Sequence, residues 1–187
     1  MTDDVRLSPS AYSRTAIVLH WAIALLVLST IPLGLFGASS GSAAAQSATN
    51  AHKSIGILIL LLTLVRVGWR LGHKPPAMPD SMAPVLRWIA RATHVLFYVL
   101  LLILPLSGWW MSSAVPDPDR HVFGFGIFDI PFLPVPRGWA SAGPARFVHV
   151  TLAFLMIGLV ALHILAALKH HFVDKDDILA RMLPRQN

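Results

Sequence analysis

The 187-residue chain contains no cysteine and no glutamate. The first absence excludes disulfides, thiolate-bound metals, iron–sulfur clusters and the Cys-x-x-Cys-His attachment of a covalent haem. The second leaves nine aspartates as the only acidic side chains, and none of them falls inside a long apolar run. Charge is scarce altogether: 13% of residues are charged against 55% hydrophobic, with a mean hydropathy of +0.64. Soluble domains carry about a quarter charged residues, so this composition indicates a membrane protein. The net charge of +6 does not call for nucleic acid, because lysines and arginines flanking apolar runs are membrane anchors.

What is present is four runs long enough to cross a bilayer, which takes about 20 apolar residues as helix. They cover about residues 15–36, 51–69, 85–111 and 145–168. The start, "MTDDVRLSPSAYSRTAIVLHW", places two aspartates before its first basic residue and runs on into an apolar stretch, so it reads as a retained first span. A small polar loop, "GASSGSAAAQSATN", separates the first two runs, and "RLGHKPPAMPD" ends the second because its prolines cannot continue a helix. Pro32 and Pro105 lie inside the first and third runs. A loop rich in Pro, Gly and aromatics, "SSAVPDPDRHVFGFGIFDIPFLPVPRGWASAG", leads to the fourth. It is expected to lie along the membrane surface, partly as a short interfacial helix.

Eleven basic residues (Arg6, Arg14, Arg66, Arg70, Lys74, Arg87, Arg91, Lys169, Lys175, Arg181, Arg185) fall on one side of this arrangement. Four (Lys53, Arg120, Arg137, Arg146) fall on the other. The positive-inside rule then puts both termini in the cytoplasm. The expected fold is an all-α membrane protein, an antiparallel four-helix transmembrane bundle forming one domain over residues 1–187.

Histidines carry the chemistry. An imidazole in an apolar span is costly without a partner. His20 lies in the cytoplasmic part of the first run and His163 near the cytoplasmic end of the fourth, whereas His52 and His149 open their runs on the outer side. His149 and His163 are fourteen residues apart, four helical turns less about 40°, so they share a face with a rise of roughly 21 Å between them. Leu152, Ala153, Met156 and Val160 lie between them on that face and offer no polar partner. Two imidazoles at one level from two facing helices suit a six-coordinate haem iron, and two levels suit two stacked haems. His52 and Arg66 share a stripe in the same way, which sets Arg66 at the inner level as a partner for a haem propionate. Gly56 leaves room for a flat ring, and Lys53 and Arg146 flank the outer pair. Scattered packing histidines explain one such residue more readily than four that pair by depth. A metal transport path normally adds membrane carboxylates or thiols, and these spans have neither.

With these residues in place the chain resembles the bacterial cytochrome b561 family, small di-haem b proteins of the cytoplasmic membrane. The resemblance runs over nearly the whole sequence: "SRTAIVLHW", "NAHKSIGILILLLTLVRVGWR", "HVLFYVLLLILPLSGWWMSS" and "HVTLAFLMIGLVALHILAALKHHFVDKDDILARMLPR". The family's haem-ligand positions match His20, His52, His149 and His163. The resemblance implies two haems b, ubiquinone as electron acceptor, and, in some members, superoxide oxidised at the periplasmic face. The alternative is a relay subunit between a partner oxidoreductase and quinone. Quinone reduction takes up protons, and imidazole is the side chain suited to deliver them near neutrality; His170 and His171 lie just beyond the inner level. The Lys-His-His run also suits a helix C-terminus as a plain interfacial cluster. His94, toward the cytoplasmic side of the third run, is expected to pack there, with the lining of a quinone pocket as the alternative; His73 and His121 are expected to lie in loops, and Trp109 and Trp110 to form an interfacial belt. The third loop carries Asp117, Asp119 and Asp129 against Arg120 and Arg137, a poor funnel for an anion such as superoxide.

Overall fold

A computed structural model describes residues 12–78, 82–115, 123–124 and 128–183. The expectations for Arg6, Asp117, Asp119, Arg120, His121 and Arg185 fall outside the described residues. Four helices dominate: α1 Arg14–Gly37, α2 Ala43–Gly72, α3 Pro84–Ala114 and α4 Trp139–Lys169. All four are long and apolar enough to cross a membrane. Between α3 and α4 a two-residue antiparallel ladder pairs β1 (Phe123–Gly124) with β2 (Phe128–Asp129), Phe123 opposite Asp129. A π-helical turn at His170–Asp174 and a short 3-10 turn at Ala180–Met182 end the chain's described part.

Local chemistry sets the boundaries. Ser13 Oγ accepts from Ala16 N–H and Ser42 Oγ from Ala45 N–H, serine N-caps that satisfy a donor left open by each helix start. Pro84 occupies the first turn of α3, where its missing N–H costs nothing. Two helices start well before the apolar runs. The Ala/Ser segment after Ser42 forms the first turns of α2 instead of a loop, since alanine is the best helix former and Ala45 and Ala48 are buried. Helix α4 starts at Trp139 with Pro144 inside it. Its first turns are held against the end of α3 by buried Ala142 and Ala145, by Trp110 Nε1–H donating to Ser141 Oγ and by Gly138 N–H donating to the Ala114 carbonyl. The interfacial helix expected in this loop is not separate: among the described residues the loop is the β1–β2 ladder and an extended run, and its helical part belongs to α4.

Helices α1 and α2 pack as one hairpin, α3 and α4 as another, and the two hairpins meet through α2 and α3. The contacts rest on small residues, with Ala45, Ala48, Ser54, Ser107, Ser112, Ser113, Ala114, Ala142 and Ala145 all buried. In lipid no hydrophobic force draws helices together, so close approach of small residues supplies the packing. Large aliphatics point outward, as with Val18, Leu25, Leu162 and Leu165, each more than 60% exposed, which is the surface a bilayer covers.

One end of the bundle gathers the start of α1, the α2–α3 connection and the tail; it is called the strap end below. Trp21 Nε1–H donates to the Met182 carbonyl, Arg181 Nη1–H to the Ala77 carbonyl, and Trp69 Nε1–H to Ser13 Oγ, so the tail crosses this end like a strap. The other, the loop end, holds the α1–α2 turn and the α3–α4 loop. Trp109 Nε1–H donates there to the Pro131 carbonyl and Ser113 Oγ accepts from Leu133 N–H, so Trp109 anchors the loop to α3.

Candidate functional site

The four histidines singled out in the sequence come together as two pairs, each bridging the two hairpins. His52 of α2 faces His149 of α4 toward the loop end, with ring centroids 6.1 Å apart at 83°. His20 of α1 faces His163 of α4 toward the strap end, 6.4 Å apart at 70°. All four rings are half-buried. Because α2 and α4 start early, His52 and His149 do not open their helices; each lies more than two turns inside.

The loop-end pair sits in two matching notches. His52 Nδ1 is 2.9 Å from the Thr30 carbonyl of α1, and His149 Nδ1 is 3.1 Å from the Leu104 carbonyl of α3. A carbonyl only accepts, so each Nδ1 carries the proton and each Nε2 keeps its lone pair. Ser107 Oγ–H donates to the same Leu104 carbonyl at 2.7 Å and lies 3.1 Å from His149 Nδ1, whose proton it shares as a second acceptor. Four residues after each carbonyl comes a glycine. A Cβ on Gly34 would stand 2.8 Å from His52 Cε1, and one on Gly108 would stand 3.0 Å from His149 Cε1. Glycine there lets each ring lie against the neighbouring backbone. Sequence reasoning missed Thr30, Gly34, Leu104, Ser107 and Gly108. The available signal was a glycine shortly after a proline in an apolar span, Pro32-x-Gly34 and Pro105-x-x-Gly108.

The strap-end pair is held by aromatic edges. Phe97 meets His163 at 5.2 Å and His94 meets it at 5.9 Å, while Trp21 meets His20 at 5.5 Å, all near-perpendicular. His94 therefore stands beside the pair. Arg66 is half-buried at this level, donating through Nε to Tyr98 Oη at 3.3 Å, with Arg70 on the same ring.

The remaining expected residues separate. Nothing lies within 4 Å of a Cβ built on Gly56, so the space beside it is open. Lys53 is half-buried next to His52, and Arg146 is exposed. His170 follows α4 in the π-helical turn, its Nδ1 2.6 Å from Asp176 and 3.3 Å from Asp174. Lys169 Nζ donates to both oxygens of Asp174 at 2.7 Å. His171 is exposed beside Phe172, and His73 caps α2 while stacking on Trp69 at 3.8 Å.

The donor set of each pair is two imidazoles. With metal–imidazole bonds of about 2 Å, two rings sharing one metal place their centroids roughly 6 Å apart. Both pairs have that spacing, both loop-end rings present a free Nε2, and the open space at Gly56 accepts a flat ring. These residues fit a haem at each pair.

Comparisons with known proteins identify the family. The family model described as prokaryotic cytochrome b561 matches residues 11–185. "Cytochrome b561 homolog 2" of Escherichia coli (strain K12) is 36% identical, covering 96% of this chain and 95% of the relative. "Cytochrome b562" of Cereibacter sphaeroides is 32% identical, covering 92% and 94%. "Probable superoxide oxidase CybB" of Yersinia pestis is 28% identical, covering 94% and 97%. Matched over nearly its whole length and built as four apolar helices with paired histidines, the chain belongs to the prokaryotic cytochrome b561 family, multi-pass bacterial membrane proteins that bind haem b and transfer electrons.

Proposed function

We propose that the chain is a single-domain, di-haem oxidoreductase of the bacterial inner membrane, with both termini in the cytoplasm, which oxidises superoxide at the periplasmic face and reduces ubiquinone. The observation that carries this reading is the stacking of two inter-helix histidine pairs, 6.1 and 6.4 Å between rings, along one face of α4. His52 with His149, and His20 with His163, would hold the two haems. When bound, bis-histidine haem supplies one-electron transfer without an open iron position, which disfavours oxygen binding.

The chain's own groups then divide the work. Two superoxide anions release two electrons and leave as two dioxygen molecules, and ubiquinone takes up two electrons and two protons to become ubiquinol. Lys53 and Arg146 provide the positive charge beside the periplasmic pair, and Arg66 would pair with a propionate at the cytoplasmic one. His170 delivers protons to the quinone: its Nδ1 is held by Asp176, which orients the ring and leaves Nε2 as the working nitrogen. His170→Gln is expected to slow quinone-dependent turnover roughly 100-fold while both haem absorbances stay intact. Turnover at the parent rate would remove His170 from the reaction.

A second reading rests on the third loop, where Asp117, Asp119 and Asp129 outnumber Arg120 and Arg137. That charge balance gathers an anion poorly. It suits a relay subunit taking electrons from a partner protein. One experiment on detergent-purified protein separates the two. Its reduced-minus-oxidised spectrum should show two low-spin b haems per chain, and added superoxide should then reduce ubiquinone with no other protein present. Two haems without that turnover favour the relay, and absence of haem overturns both readings.

A further inference from the structure

The two histidine pairs differ in what holds their rings. Both loop-end rings donate Nδ1–H to a helix carbonyl, Thr30 for His52 and Leu104 for His149, and each lies in a notch opened by a glycine four residues on. The notch is built twice, once in each helical hairpin. At the strap end, among the described residues, no carbonyl bonds His20 or His163, and the neighbours are the edges of Trp21, Phe97 and His94.

This difference bears on redox potential. An imidazole donating its second N–H to a carbonyl is a more basic ligand, and a more basic ligand stabilises oxidised iron over reduced iron. The loop-end site has this feature on both of its ligands and the strap-end site on neither. Cations do not reverse this order: Arg66 and Arg70 meet at Tyr98 on the strap-end level, where positive charge favours reduced iron, while exposed Arg146 is screened by solvent. The hydrogen bonds separate the two levels in the same direction.

We infer that the Thr30/Gly34 and Leu104/Gly108 notches make the loop-end site the lower-potential of the two, with Ser107 as a positioning residue that shares the His149 proton. A donor oxidised at the loop end loses one electron, which runs downhill to the strap end and leaves to an acceptor there. The inference rests on the proposed haem ligation and adds the order of the two centres.

Potentiometric titration of the haem absorbance in purified Ser107→Ala beside the parent protein tests it. The parent should titrate in two separated steps. Ser107→Ala keeps every ligand but changes what the His149 N–H meets, removing one acceptor and freeing the Leu104 carbonyl, so the lower midpoint should move and the upper stay in place. Movement of the upper midpoint alone, or of neither, overturns the inference. Should Ser107→Ala fail to fold, His163→Ala serves: its one remaining haem, at the loop end, should titrate at the parent's lower midpoint, and titration at the upper one overturns the order. A parent protein without haem would instead sink the ligation itself, so the two failures are distinguishable.

Discussion

His163→Ala should purify with roughly one haem per chain where the parent carries roughly two, and the remaining haem should keep its bis-histidine spectrum. The expectation follows from the separation of the levels: His149 and His163 lie fourteen residues apart on α4, roughly 21 Å along the axis, so deleting one imidazole leaves the other pair's helices and notches untouched. His149→Ala should give the mirror result. Of the strap-end residues, His163 makes the sharper test than His20. The ring of His94 stands 5.9 Å from His163, close to the 6.4 Å of His20, so in His20→Ala a neighbouring imidazole is already at hand to replace the lost one. His163 is common to both arrangements, and nothing substitutes for it. The measurement is haem content by pyridine haemochrome against protein, with the low-spin bands read alongside. Retention of two bis-histidine haems in either alanine variant would falsify the ligand assignment.

The path from sequence to this site was uneven for physical reasons. The spans were legible because lipid demands long apolar helices, and the histidine pairs because depth and a 100° step per residue together place a side chain on a helix face. Helix starts were not legible. Ala43–Asn50 and Trp139–Gly143 are too polar or too small to register as apolar spans, yet Ala45 and Ala145 are fully buried at helix contacts, and that tertiary packing decides the conformation. As a result His52 and His149 sit about two turns further inside their helices than the apolar runs imply.

The notches were illegible for a different reason. The acceptors for His52 and His149 are backbone carbonyls of Thr30 and Leu104, and a carbonyl leaves no mark in an amino-acid sequence. Only the accompanying glycines do, and a glycine in an apolar helix is easily read as mere packing. The strap across the other end was hidden likewise, since Met182 and Ala77 take part through their carbonyls and the visible donors, Trp21 and Arg181, look like ordinary interfacial residues. Side-chain chemistry could therefore be read ahead of the structure, whereas its orientation by main-chain groups could not.

Gly108→Ala and Gly34→Ala should each cost the loop-end haem, although alanine ordinarily stabilises a helix interior by about 1 kcal/mol over glycine. The reason is contact. The new methyl would stand 2.8 Å from His52 Cε1 in one variant and 3.0 Å from His149 Cε1 in the other, closer than real Cβ atoms come to neighbours in the first case and at the limit in the second. The ring must move, and moving it lengthens the Nδ1 bond to Thr30 or Leu104 and turns Nε2 away from the facing histidine. Displacing such a supporting contact typically lowers metal affinity about 10–100-fold. Gly34→Ala should be the more severe, having the shorter approach. Gly68→Ala on α2 is the control, because nothing lies within 4 Å of its Cβ; it should keep both haems and gain slightly in thermal stability. If haem content in Gly34→Ala matched that of Gly68→Ala, the loop-end rings would have room that the structure denies them, and their orientation would have to come from the haem and not from the notch.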